Sequence, residues 1–184
     1  ANHTRVYHTK PSYQTILDAV TKQFHSGEGA IQFAPEAIAR SNADILNEED
    51  LKNEFIELYS EQGKEEARNW INTNYGPFSE EELNHRMSRY GLNPCGEILG
   101  NDFHCNLAEV HLNQIDPENI EEQKKAFKAA ALSVACLLNH EFEVERYRKS
   151  REYDPIVGVS FTGLFDFCVH AFGTPWLKWW EAGR

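Results

Sequence analysis

The sequence predicts an α/β protein, helix-rich over residues 1–90 and passing into sheet only at a cysteine-bearing stretch. Three observations predict it. Apolar residues recur at helical spacing in most segments before residue 90, as in "SYQTILDAVTKQFH". Two short runs, "CNLAEVHL" and "IVGVS", read as strands, and both lie after that point. A long helical pattern separates them and a second follows; strand, helix, strand, helix is the order of a sheet with parallel neighbours.

Each element has its own signals. Residues 12–25 place Ile16, Ala19, Val20 and Phe24 on one face, with Ser12 as cap and "SGEG" as terminator. A short helix over 35–46 opens on Pro35, and an acidic helical region runs from Glu48 to Asn74 with an interruption near Gly63. Ser79 followed by Glu82 is the spacing of a capping box, and the helix it opens is expected to stop at Gly91. Strands are expected over 105–112 and 156–160. The helix between them, 117–139, has Asp116 as cap, Pro117 in its first position and glutamates in its first turn, where the dipole favours negative charge. Its later part, Phe127 to Leu138, is apolar on most sides and is expected to be buried on several faces. Thr162 and Gly163 lead into the last apolar helix, "LFDFCVHAF".

The 184 residues are enough for one domain with its own core, and 41% hydrophobic with 26% charged residues is an ordinary globular balance. A net charge of −11 disfavours the phosphate-neutralising mode of nucleic-acid binding. The basic run "RYRKSR" is flanked by Glu143, Glu145 and Glu152 and reads as a solvated helix end. No apolar run reaches the roughly 20 residues that span a bilayer, the opening "ANHTRVYHTK" holds no secretory apolar region, and four cysteines are too few for a disulfide scaffold. A cytoplasmic, reducing setting is expected. The aromatic end "TPWLKWWEAGR" offers Trp176, Trp179 and Trp180 either to a partner surface or to the chain's own core.

Chemistry concentrates in "NPCGEILGNDFHCNLAEV", residues 93–110. Pro94 removes a donor and biases Asn93 from helical angles, while Gly96 admits conformations that other residues avoid, so Cys95 is expected on a tightly turned loop. Cys136 and Cys168 fall inside periodic segments and read as small buried hydrophobes. Zinc wants four ligands at short spacings, and neither C-x-x-C nor H-x-x-x-H stands nearby; His104 and Cys105 are adjacent without partners. A Cys–His hydrolase lacks a nameable third group. Side chains two residues either side of Cys95 can project to its side on an extended loop, so Asn93, Cys95 and Glu97 can converge on one small substrate. The amide would hold a hydroxyl, the carboxylate would move a proton and the sulfur would do the difficult chemistry. Cys105, opening the next strand, can supply reducing equivalents by thiol–disulfide exchange.

These residues resemble a known family. "NPCGE" followed by "CNLAEV" is similar to the finger loop and following strand of ribonucleotide reductase catalytic subunits, and "RYGLNPCGEIL" with "VGVSFTGLFDF" resembles most the adenosylcobalamin-dependent, monomeric, triphosphate-reducing branch. The resemblance covers most of the chain, more loosely before residue 60. It implies part of a ten-stranded α/β barrel with a central finger loop at about 92–104, the whole chain being an internal segment of that catalytic domain. It implies Cys95 as the thiyl that takes the ribose 3′ hydrogen, Glu97 as the base for the 3′ hydroxyl and Asn93 as the group orienting the ribose. Cys105 is implied as half of the redox-active disulfide, its partner lying outside these residues. Adenosylcobalamin, held mainly by other parts of the enzyme, is the implied radical source. Ribonucleoside triphosphates, nucleotide effectors, a thioredoxin-type reductant and the remainder of the reductase chain are the implied partners; no metal ligand is implied here. A radical sulfur also implies a screened loop.

The strand bearing the partner of Cys105, the phosphate-binding loop and the C-terminal cysteine pair of the family have no counterpart here. The chain is therefore expected to be inactive alone. Two rivals stay open: a catalytic subunit of the same family drawing its radical from a separate iron or manganese subunit, and an acidic helical interaction module in which Cys95 and Cys105 are structural.

Overall fold

Thr4–Tyr7 form a strand, β1, where the sequence pattern gives no strand signal. The computed structural model describes residues 3–183, without the side chains of Trp179 and Trp180, so the expectation for those two lies outside the described residues. The chain divides into two compact bodies, residues 1–103 and 104–184.

In the first body, β1 leads into helix α1, Tyr13–Ser26, started by Ser12, whose side chain accepts from the Thr15 N–H. The chain returns as β2, Ala30–Phe33, parallel to β1 with Thr4 opposite Ala30 and Tyr7 opposite Phe33. The expectation of sheet only after residue 90 is thus corrected. Both strands are four residues long, too short for alternation to show, and Pro35 opens the next helix directly behind β2.

Helix α2, Ala34–Ser41, ends before the expected residue 46. Asn42 stops it: its amide nitrogen donates to Ile38 O at 2.9 Å and Arg86 O at 3.1 Å, holding the turn against a distant segment. Helices α3, Glu49–Gln62, and α4, Lys64–Tyr75, meet at Gly63 as the pattern predicts. Ser79 accepts from the Glu82 N–H and opens α5, Glu80–Arg86, which stops short of Gly91. The core of this body joins Ile38, Leu46, Phe55, Tyr59, Ala67, Ile71, Leu83 and Met87. Full burial of each large side chain contributes on the order of 2 kcal/mol, so these helices hold by their shared apolar face more than by propensity. A two-pair antiparallel hairpin, β3 (Gly91–Leu92) with β4 (Leu99–Gly100), follows.

The second body is a βαβ unit. Strand β5, Asn106–His111, pairs in parallel with β6, Val157–Thr162, Asn106 standing opposite Val157 and His111 opposite Thr162. Between them run α6, Ile120–Leu137, and α7, Glu145–Tyr153; α8, Leu164–Phe172, and α9, Trp176–Ala182, follow. Asn119, not Asp116, caps α6, accepting from the Glu122 N–H at 3.1 Å, while Asp116 accepts from the Glu118 N–H. The expected multi-sided burial of α6 is not found. It lays Ala126 and Ala130 toward the small core of Val110 and Leu112, buries Val134 on the same side, and leaves Leu132 and Leu137 exposed. Cys136, two residues from Val134 and so on the opposite side of the helix, is exposed, and Cys168 is half-buried, against the expectation that both are core. The basic run forms α7, where Arg148 meets Glu145 and Glu152 and Lys149 meets Glu145, so glutamates of the same helix pair with two of its cations.

Among the described residues the sheets are three two-stranded pairs, and none closes into a barrel. The fold is mixed α/β. No described helix is long and apolar enough to cross a membrane.

Candidate functional site

The cysteine hairpin stands on a buried polar network. Arg86 Nη1 donates to Asn42 Oδ1 at 3.1 Å and lies 2.9 Å from Asp44 Oδ2, while its Nε reaches Glu82 Oε1 at 3.0 Å. Its guanidinium also lies over the Phe78 ring, 4.6 Å from the centroid. Arg89 Nη1 donates to the same Asn42 oxygen at 3.1 Å, and the Ser41 hydroxyl donates to Arg89 O at 2.8 Å. Two guanidiniums sharing one amide oxygen, with a carboxylate on either side of Arg86, satisfy charges that would be costly to bury unpaired. The network ties residues 86–89 to the end of α2, immediately before the chain enters β3. Sequence reading missed it, because Asn42 and Asp44 stand more than 40 residues from the arginines they meet, and the local pair of Glu82 with Arg86 does not announce them.

The hairpin legs approach closely. A side chain at Gly91 would put its Cβ 2.8 Å from Gly100 O, so only glycine fits there. Beyond Leu92, Asn93 N donates to Ile98 O at 3.2 Å and Asn93 Oδ1 accepts from Ile98 N at 2.9 Å. The tip between them is Pro94, Cys95, Gly96 and Glu97. Gly96 N donates to Asn93 O at 3.0 Å, and Gly96 takes φ +81°, a left-handed value that a Cβ disfavours. Cys95 and Glu97 are exposed at this tip, whereas Asn93 is 8% exposed. The tip therefore presents a thiol and a carboxylate outward, with the amide at its base, against the expectation of a loop screened from solvent. A cavity of about 200 Å³ lies beside that base, lined by Gln23 of α1, by Glu28 of the α1–β2 connection and by Leu92, Asn93 and Pro94.

Cys105 belongs to the second body and is exposed, one residue ahead of β5. Asn106 Nδ2 donates to Ile156 O at 3.2 Å, fixing the start of β5 to the start of β6. On its other side, His104 stacks on Phe142 with ring centroids 4.3 Å apart and meets Tyr147 edge-on at 5.0 Å. Arg151 lies over Phe142 and donates to His140 O, closing an aromatic and cationic cluster around residue 104. Among the described residues no group of three or more His, Cys, Asp or Glu side chains comes together as a metal site.

Fold and tip together describe an α/β chain that exposes a cysteine and a glutamate on a rigid turn. The chain is similar to the adenosylcobalamin-dependent ribonucleoside-triphosphate reductase of Lactobacillus gasseri, 37% identical over 84 residues that make up 45% of this chain and 11% of that protein. The chain thus matches about a tenth of the length of that relative. No family model matches the chain, and no solved structure matches it.

Proposed function

We propose that this chain is a segment of a ribonucleotide reductase catalytic subunit, of the adenosylcobalamin-dependent, triphosphate-reducing kind. The observation that carries the reading is the tip itself: a thiol and a carboxylate two residues apart on a turn that Asn93 clamps, in a chain similar to such a reductase, with screening of the sulfur left to other parts of the longer protein. Oxidised to a thiyl, the Cys95 sulfur takes the 3′ hydrogen of the ribose and becomes a thiol. Glu97 accepts the 3′ hydroxyl proton. Asn93 offers its amide nitrogen to the ribose hydroxyls while its oxygen stays with Ile98. As the 2′ hydroxyl leaves as water, Cys105 and a second thiol outside these residues give up two electrons and close a disulfide. Hydrogen returned from Cys95 to the 3′ carbon restores the thiyl.

The reading assigns the corrinoid, which would supply the radical that oxidises Cys95, to other parts of the longer protein. It also assigns the exposed apolar faces, Tyr13, Leu17, Val20 and Phe24 on α1 and Phe165 and Phe172 on α8, to contact with those parts. Nucleotide effectors and a thioredoxin-type reductant are the further partners of this reading.

The test is Cys95→Ser in the complete enzyme. Deoxynucleotide formation is expected to fall by at least about a thousandfold, because a hydroxyl cannot take the thiyl's place. A variant producing deoxynucleotide within about tenfold of the unaltered enzyme sinks the assignment. Activity of the unaltered enzyme that depends on added adenosylcobalamin, with no second subunit, separates this reading from a reductase with a metal radical subunit.

A further inference from the structure

We propose that Asn93 is a positioning residue for the Cys95 thiol, acting through its side-chain oxygen on the far leg of the hairpin, in addition to anything its nitrogen does. The ladder beneath the tip has two residue pairs, Gly91 with Gly100 and Leu92 with Leu99. So short a ladder is marginal by itself and leaves the direction of the tip weakly fixed. Asn93 extends it with three hydrogen bonds: its N–H to Ile98 O, its backbone oxygen from Gly96 N, and its Oδ1 from Ile98 N at 2.9 Å.

The side-chain bond does what the other two cannot. It fixes the Asn93 side-chain torsions together with the backbone of Ile98, so Pro94 to Glu97 become a closed loop anchored twice on one residue. Asn93 is 8% exposed and Ile98 is half-buried, so water replaces the lost acceptor poorly. Loss of this one oxygen frees the turn that aims the thiol, while the Arg86–Asn42 network below it is untouched.

The geometry stands without the reductase reading; only the consequence for turnover rests on it. The experiment therefore has two arms. In the first, hydrogen exchange of the Ile98 amide is measured by NMR in the 184-residue chain, in Asn93→Ala and in Asn93→Asp, with the Leu83 amide of α5, bonded to Ser79 O, as internal reference. Asn93→Ala is expected to speed Ile98 exchange about tenfold, and Asn93→Asp, whose carboxylate accepts the same bond, to stay within about threefold of the unaltered chain. If Leu83 exchange also rises in Asn93→Ala, the variant has loosened the whole body and Asn93→Asp decides: protection at both amides supports the proposal, loss at Ile98 overturns it. Ile98 exchange unchanged in Asn93→Ala overturns it as well.

In the second arm both variants are placed in the complete enzyme. Each lacks the amide nitrogen, so a change shared by both is not assigned to the clamp. The clamp is read in the difference: kcat of Asn93→Ala is expected about tenfold below that of Asn93→Asp at similar KM. Equal kcat values overturn the positioning role. Absence of reductase activity in the unaltered enzyme instead removes the reductase reading and leaves the exchange result to stand alone.

Discussion

The Tyr59 hydroxyl lies 2.9 Å from His8 Nδ1, and Tyr59 itself is buried among Phe55 and the helices around it. Burial, with smaller contributions from Tyr90 and Glu65, pushes its phenol from 10.0 up to about 12. A raised folded value means that the unfolded chain ionises first as pH rises. The stability held in neutral Tyr59 is therefore complete below pH 10 and is lost as pH climbs toward about 12. Urea midpoints measured across that window should fall, and Tyr59→Phe should flatten the fall; an equally steep fall in the variant would assign the alkaline loss elsewhere. At this scale the turn at Cys95 was legible, because Pro94 and Gly96 constrain it locally whatever surrounds them. The bond from Asn93 was not, since its partner is a backbone N–H that residue identities do not locate.

Elements were legible where their signals are local. Ser12 and Ser79 cap the helices that their spacing announces, the break at Gly63 falls where expected, and the βαβ order of residues 106–162 follows from period and length. Strands β1 and β2 were lost because four residues carry no alternation, and parallel pairing across α1 supplies the order that propensity does not. The early end of α2 was lost for another reason: Asn42 is spent on Arg86 and Arg89, a demand set by residues 44 and 47 positions away. How α3 and α4 pack is a matter of a few contacts around Phe55, fully buried and near both Tyr59 and Trp70. Phe55→Ala should cost about 3–5 kcal/mol, a large part of an ordinary domain's margin of about 5–15 kcal/mol. Loss of helical ellipticity at markedly lower urea is the expected result; an unchanged midpoint would mean that these helices do not depend on one apolar seam.

For the whole molecule, one division of labour is at stake. Cys95 stands on the clamped tip of the first body and Cys105 at the entry to the parallel pair of the second, both exposed, while Cys136 and Cys168 occupy helices. Neither the tip nor the strand entry is a packing position, so core filling does not account for these two sulfurs, and the proposed function gives them chemistry instead. The part-barrel that the resemblance implies is not seen among the described residues, whose strands form three separate two-stranded pairs. The measurement that bears most directly on the division is a turnover without external reductant in the complete enzyme, followed by alkylation of each cysteine read by mass spectrometry. The account predicts that Cys105 becomes resistant to alkylation in proportion to deoxynucleotide formed, and is restored by dithiothreitol, while Cys95 remains alkylatable throughout. Stoichiometric product with Cys105 still fully alkylated, or with Cys95 taken into the disulfide in its place, would contradict it.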